Sequence, residues 1–127
     1  MRDLYHGLLG EHSLLPIAQA GAAKGDNIID LAGFEGALII CCVGQITGDV
    51  TYELQEGNED DMSDDEAVAA EDLLGTEPTF AHATEDDTVK TFGYIGSKRY
   101  IRVDITEGIG IAGAIVIKGF PRHAPVV

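Results

Sequence analysis

The densest group of side chains that could do chemistry is a run of carboxylates in the middle of the chain. Seven of the eleven residues from 56 to 66 are acidic, and Ca²⁺ prefers carboxylate oxygens as ligands. A calcium loop that starts at Asp60 places Met62, which cannot ligate, at position 3 and Asp65 where the loop requires glycine. A start one residue later places Glu66 at that glycine position. The sequence therefore predicts a solvated acidic loop, with loose cation binding as the alternative.

The other candidates for chemistry are scattered along the chain. The histidines and serines show no metal-ligand spacing and no readable catalytic triad: they are His6, His12, His82, His123, Ser13, Ser63 and Ser97. The glycines form no phosphate-binding or dinucleotide-binding motif. No pair stands out among the 22 acidic residues as a glycosidase acid and base. We expect no enzymatic activity, no cofactor and no metal.

The two cysteines are adjacent, at Cys41 and Cys42. Neighbouring side chains of a strand point to opposite faces, so these two cannot easily form a disulfide with each other. We expect buried free thiols.

Charge limits the possible partners. The chain has a formal net charge of −14, which repels nucleic acid phosphates and anionic membranes. No segment approaches the ~20 apolar residues of a membrane-spanning helix. The stretch "LLPIAQAG" resembles a signal-peptide cleavage region, but Glu11 and His12 interrupt the apolar residues before it. We expect a soluble protein that binds neither nucleic acid nor membrane.

The charge is also uneven. Residues 1–88 hold 20 acids and 2 bases, whereas residues 89–127 hold 2 acids and 6 bases. Two interpretations are open: the charges cancel between neighbouring strands, or the basic segment is a contact patch for an acidic partner.

Short apolar and alternating segments predict the elements. "NIIDLAGF" predicts a short strand, "GALIICCVG" a strand buried on both faces, and "GDVTYELQEG" a half-buried strand with Val50, Tyr52 and Leu54 on one side. "SDDEAVAAEDLLG" carries a helix-start signal, with Ser63 as N-cap and Glu66 in the capping box. "GAIVIKGF" predicts the last strand, followed by an extended tail.

The segment "GYIGSKRYIRVDIT", residues 93–106, predicts a hairpin around a Gly-Ser-Lys turn. In its second arm Ile101, Val103 and Ile105 alternate with Tyr100 and Arg102. The basic and aromatic side chains are expected on the side that faces solvent or a partner.

These elements predict one domain. We expect an all-β fold, an antiparallel β-sandwich or barrel of jelly-roll-like form, with one short helix. Residues 1–26 are predicted to be an irregular, extended N-terminal arm, because five glycines and prolines punctuate them. Residues 27–127 form the β domain, with the acidic loop at 56–66. The apolar residues of the arm either pack over the domain or lie along another protein.

Several longer segments resemble one family. They are "RDLYHGL", "IDLAGFEGA", "GQITGDVTYELQEG", "EDLLGT", "GYIGSKRYIRV" and "KGFPRHAP", and the resemblance extends over nearly the whole chain, from residue 2 to residue 125. Together they resemble the capsid decoration, or cement, proteins of tailed bacteriophages, small virion proteins associated with an HK97-type major capsid protein. The chain departs from that family in its acidic loop, which holds more acids and lacks the aromatic residue often found there.

The resemblance implies a structural protein that is made in the host bacterial cytoplasm and binds the outside of the phage head. Its implied partners are the major capsid protein and other copies of itself, as a homotrimer. Two alternatives are a head–tail connector or tail-tube protein, and a host-surface or glycan-binding module. The expected contact residues are Leu4, Tyr5, Leu8 and Leu9 of the arm, and Lys98, Arg99, Tyr100 and Arg102 of the hairpin. For Arg102 the alternative is an ion pair with an acid of a neighbouring strand inside its own subunit.

Overall fold

The computed structural model describes residues 4–82 and 84–121, which form ten strands and one 3₁₀ turn. The strands are β1 (Leu9–Ala20), β2 (Ile29–Asp30), β3 (Phe34–Ile46), β4 (Val50–Gly57), β5 (Glu66–Ala67), β6 (Leu73–Leu74), β7 (Thr79–Phe80), β8 (Val89–Tyr94), β9 (Tyr100–Glu107) and β10 (Ile109–Pro121). The all-β prediction is confirmed.

Two antiparallel sheets make up the fold. The first has the order β1-β10-β3-β8-β6, and the second has the order β2-β9-β4-β5 with β7 paired to β4. The strands within the described ranges form no closed barrel, so the sandwich is the alternative that holds. Its only helical element within those ranges is the turn Ala70–Asp72.

The core lies between the sheets and is built by alternation along the strands. The second sheet contributes Val50, Tyr52, Leu54, Ile101, Val103 and Ile105, and the first contributes Ile39, Cys41, Val43, Ala112, Ala114 and Val116. The predicted alternation of β4 is confirmed. Burying a valine, leucine or isoleucine contributes about 1.5–3 kcal/mol each. Tyr52 also reaches across the core, where its hydroxyl donates to the carbonyl oxygen of Gly113 at 2.9 Å.

The prediction that residues 36–44 are buried on both faces is wrong. Ile39, Cys41 and Val43 are in the core, but Leu38 is 42% exposed on the other side. Both faces of β3 are apolar, and only one is covered by the second sheet. Of the two free thiols, Cys41 is buried and Cys42 is partly exposed.

The expectation of an irregular segment over residues 1–27 is also wrong. Residues 9–20 form β1, which pairs with β10 along most of its length. The pairing slips between His12 and Leu14 and again between Leu14 and Ile17. Bulges of this kind allow an edge strand to contain Pro16, which has no N–H to donate. Residues 9–20 of the predicted arm therefore belong to the first sheet.

The predicted hairpin at residues 93–106 is wrong as well. β8 lies in the first sheet and β9 in the second, so the two strands do not pair with each other. Residues 95–99 cross from one sheet to the other. The Gly-Ser-Lys segment forms no tight turn at residues 95–98 and instead carries the chain from one sheet to the other.

The helix-start signal at Ser63 is misleading. Residues 66–67 form β5, and the only helical turn of this region comes later, at Ala70–Asp72. The carboxylate of Asp61 accepts the N–H of Ser63, which makes a local turn in place of a helix cap. The last predicted strand is confirmed and is longer than expected. The predicted tail begins at Pro121, which instead ends β10, and its remaining residues 122–127 lie outside the described residues.

Candidate interaction surfaces

Arg102 is an internal residue. It is 7% exposed, and its guanidinium donates to Asp104 Oδ1 at 2.8 Å and to Asp65 Oδ2 at 2.7 Å. The N–H of Gly25 donates to the same Asp104 oxygen at 2.9 Å. The segment before β2 therefore covers this side of β9, which the sequence analysis expected to face solvent or a partner. The ion pairs of Arg102 therefore lie within its own subunit, but its partners are Asp104 of the same strand and Asp65 of the acidic loop, where the alternative expected an acid of a neighbouring strand.

Gly25 is required for this covering. A Cβ at residue 25 would lie 2.3 Å from the carbonyl oxygen of Val103 and 2.8 Å from Cγ of Arg102. Only a residue without a side chain lets the backbone approach β9 so closely. The sequence showed a glycine here but gave no sign of what it approaches.

The other basic residues of the predicted contact patch also have partners in their own chain. Arg99 forms a two-pronged pair with Asp30, with both N···O distances at 2.9 Å, and lies over the ring of Tyr100. The Nζ atom of Lys98 lies 4.0 Å from Oε1 of Glu66. The hydrogen bonds from Arg99 hold the pKa of Asp30 below its usual value. These pairs connect the 95–99 crossover to the second sheet.

A tyrosine that sequence analysis did not select fixes the start of this crossover. The hydroxyl of Tyr94 donates to Glu56 Oε1 at 2.7 Å and accepts the N–H of Lys98 at 3.2 Å. Tyr94 is buried, and burial raises the pKa of its hydroxyl. The "GYIG" segment is thus a structural joint between the sheets. Residues 31–36 and 94–99 line a groove of about 500 Å³ beside it.

The four apolar residues selected near the N-terminus divide into two pairs. Leu4 and Tyr5 are 62% and 70% exposed. Leu8 and Leu9 are half-buried, and Leu8 lies over Gly119 of β10. Leu4 and Tyr5 are therefore largely exposed, while Leu8 packs against β10.

The acidic loop is held together by its own carboxylates. Asp64 accepts the N–H groups of Asn58 at 2.9 Å and of Glu59 at 3.2 Å, which lowers its pKa. Met62 is 3% exposed and anchors the loop to the domain. Across residues 4–82 and 84–121 no group of three His, Cys, Asp or Glu side chains is arranged to hold a metal ion.

The largest surface feature that the sequence analysis missed is the outer side of the first sheet. Along the central strand β10, the outward positions from 109 to 119 are four isoleucines and two glycines. The neighbouring outward positions of β3 are Gly36, Leu38, Ile40, Cys42 and Gly44. We call this surface the apolar face. It continues onto β8 and β6 and, in the other direction, onto β1.

Cross-strand pairs show how continuous the apolar face is. One row reads Gly10, Ile117, Leu38, Gly93 and Leu74, and the next reads His12, Ile115, Ile40 and Thr91. Neither row contains an Asp, Glu, Lys or Arg. Ile115, Leu74 and Val89 are 43%, 59% and 61% exposed. A contiguous apolar surface of this kind marks an interaction site.

The outer side of the second sheet is different. Its outward positions include Glu53 and Gln55 on β4 and Thr106 on β9. The sandwich therefore has one apolar outer side and one polar, charged outer side. The sequence of β10 did not reveal this apolar outer side. In this strand the side chains that point into the core and those that point outward are both mostly apolar, so the usual alternation of apolar and polar residues is missing.

Comparison with protein-family models and with curated protein sequences finds no match for this chain. No helix in the described part of the chain is long and apolar enough to cross a membrane.

Proposed function

We propose that this protein is a structural virion protein that binds the outside of a tailed-phage head and stabilises the capsid lattice. The observation that carries the proposal is the apolar face: a broad surface whose two central rows contain no Asp, Glu, Lys or Arg, on a chain of net charge −14. A structural protein needs such a surface for assembly and needs no reaction centre. The resemblance of the sequence segments to capsid decoration proteins is the reason for proposing the phage head as the assembly that this protein joins.

Under this proposal the protein is made in the bacterial cytoplasm and ends on the capsid surface. Its partners are the major capsid protein and further copies of itself, expected as a homotrimer, and its role is not enzymatic. Exposed Leu4 and Tyr5 are the contact candidates outside the two sheets. We expect no direct contact with the packaged DNA, because the acidic chain repels phosphates.

The test is binding to purified, expanded heads that lack tails, followed by counting of bound copies. Decoration requires hundreds of copies distributed over the lattice. About a dozen copies at one vertex would instead indicate a connector or tail-tube protein. No binding to heads, together with binding to host-surface glycans, would replace the proposal with the glycan-binding alternative.

A further inference from the structure

We propose that the apolar face binds the same face of other copies of this chain, so that the protein assembles through its first sheets. This inference concerns the isolated protein and does not depend on its role in a virion. It places the main contact between copies on the first sheet, whereas the sequence analysis expected that contact at the basic residues 98–102.

The first argument is charge. Two chains of net charge −14 repel each other wherever carboxylates meet. The rows through Ile117 and Ile115 contain no Asp, Glu, Lys or Arg, and their one titratable side chain is His12, so two apolar faces meet without repulsion between carboxylates. A strongly basic partner would bind more favourably to the outer side of the second sheet, which carries Glu53 and Asp30. The apolar face is therefore best matched by a second apolar face.

The second argument is size. β10 and β3 are 13 residues long and β1 is 12, with the shorter β8 beside them. At ~3.3 Å per residue and ~4.8 Å between strands, the face covers on the order of 600 Å² per copy. Specific interfaces begin at about this size for each partner.

The third argument is shape. A glycine stands between large side chains across the strands at Gly93, which lies between Leu38 and Leu74. Gly113 and Gly119 of β10 are covered by Pro16 and Leu8 of the same chain. Leucine and isoleucine side chains of a facing copy can therefore pack against the low position at Gly93. Sheets pack face to face at ~10 Å. A two-fold pair meets this distance directly. In a trimer, three faces of ~19 Å width would surround the three-fold axis, and each face would lie ~5–6 Å from that axis. This distance is about half of the ~10 Å between packed sheets, so a trimer also brings the faces within packing distance.

The experiment compares two matched threonine variants. Thr91 is an exposed residue of the apolar face, and Thr106 is an exposed residue on the outer side of the second sheet. Thr91→Glu adds a charge to the proposed interface, and Thr106→Glu adds the same charge elsewhere. Sedimentation equilibrium of the purified full chain, from about 1 to about 200 µM, measures the mass against the 13.5 kDa of one copy. Thermal unfolding of each variant verifies the fold.

We expect the intact protein to form dimers or trimers, and Thr91→Glu to weaken self-association at least about tenfold, since like charges would face each other across the contact. Thr106→Glu should associate like the intact protein. Ile115→Ser, a milder change on the same face, should also weaken association. A monomeric intact protein at about 200 µM would overturn the inference, as would unchanged association of Thr91→Glu. Head binding by a monomeric protein would leave the proposed function standing, so the two failures are distinguishable.

Discussion

At the scale of single residues, the guanidinium of Arg102 lies between the carboxylates of Asp104 and Asp65 of its own chain. Removing one partner of such a buried group leaves the other charges buried without compensation. Arg99, by contrast, forms its pair with Asp30 largely in solvent, where the side chains are 54% and 44% exposed. The two arginines, three positions apart, therefore make contributions of different size to the stability of the fold.

Arg102→Ala is expected to lower the free energy of unfolding by about 3 kcal/mol, because Asp104 would remain buried without its cation. Arg99→Ala is the matched control and should lower it much less, because the pair of Arg99 with Asp30 is screened by solvent. Urea unfolding followed by circular dichroism measures both. If both substitutions lower the free energy of unfolding by similar, small amounts and Arg102→Ala also impairs assembly, Arg102 is an interface residue.

The pair of Arg99 and Asp30 should also make stability depend on pH. Its hydrogen bonds lower the pKa of Asp30 in the folded state, so the pair stabilises the fold above the ordinary Asp pKa of 3.8 and loses this effect as pH falls below it. Asp30→Asn should be less stable than the intact protein at pH 6 by at most about 1 kcal/mol. The difference should shrink toward zero at about pH 2.5. A difference that is constant across this range would exclude the charge as its cause.

At the scale of elements, the N-terminal segment has two parts with different roles. Residues 4–8 precede the first strand, and Leu4 and Tyr5 are exposed. β1 follows, with Ser13 and Leu14 fully buried and Ser13 Oγ accepting the N–H of Val103 from the opposite sheet. A short truncation and a long one should therefore have opposite consequences.

Removing residues 1–8 should change the melting temperature by no more than about 3 °C, because few buried contacts are lost. It should weaken binding to phage heads if Leu4 and Tyr5 contact the capsid. The chain without residues 1–20 should not fold and should show no cooperative unfolding transition, because the truncation exposes the edge of β10 and part of the core. Calorimetry and head-binding assays measure the two effects. Undiminished head binding after the short truncation would exclude the segment as an anchor.

Local patterns in the sequence were enough to find most strands but not their partners. The alternation of Val50, Tyr52 and Leu54 identifies β4 and its inner side, because that signal is local. The pairing of β1 with β10 joins residues about one hundred positions apart, and no local pattern encodes it. Pro16 and the glycines further concealed β1. The turn at residues 95–99 could not show whether its strands pair or change sheets.

The candidate site was less predictable for a related reason. A contact patch was expected where basic residues are concentrated, but Arg99 and Arg102 pair with acids brought there by the fold. The apolar face is formed by strands distant in sequence, and its residues look like ordinary core. Only the pairing of β3 with both β10 and β8 shows that one apolar side is left uncovered.

At the scale of the whole molecule, charge and apolar surface are separated between the two outer sides of the sandwich. Self-association through the apolar face should therefore strengthen between about 0.02 M and about 0.5 M NaCl, because salt screens the repulsion between chains of net charge −14. Contacts from Lys98, Arg99 or Arg102 to an acidic neighbour would weaken over the same range. Sedimentation equilibrium at several salt concentrations decides between the two.

The order of strands in the first sheet also has a consequence for how the chain acquires its structure. β10, the last strand described, lies between β1 and β3 and pairs with both. While the ribosome is still making the preceding residues, β1 and β3 have no central strand to join them. The first sheet can close only after β10 has been synthesised, and loops that join such distant segments close slowly. Until then the nascent chain exposes the apolar residues of β3 on both sides, which makes it a substrate for chaperones and vulnerable to aggregation.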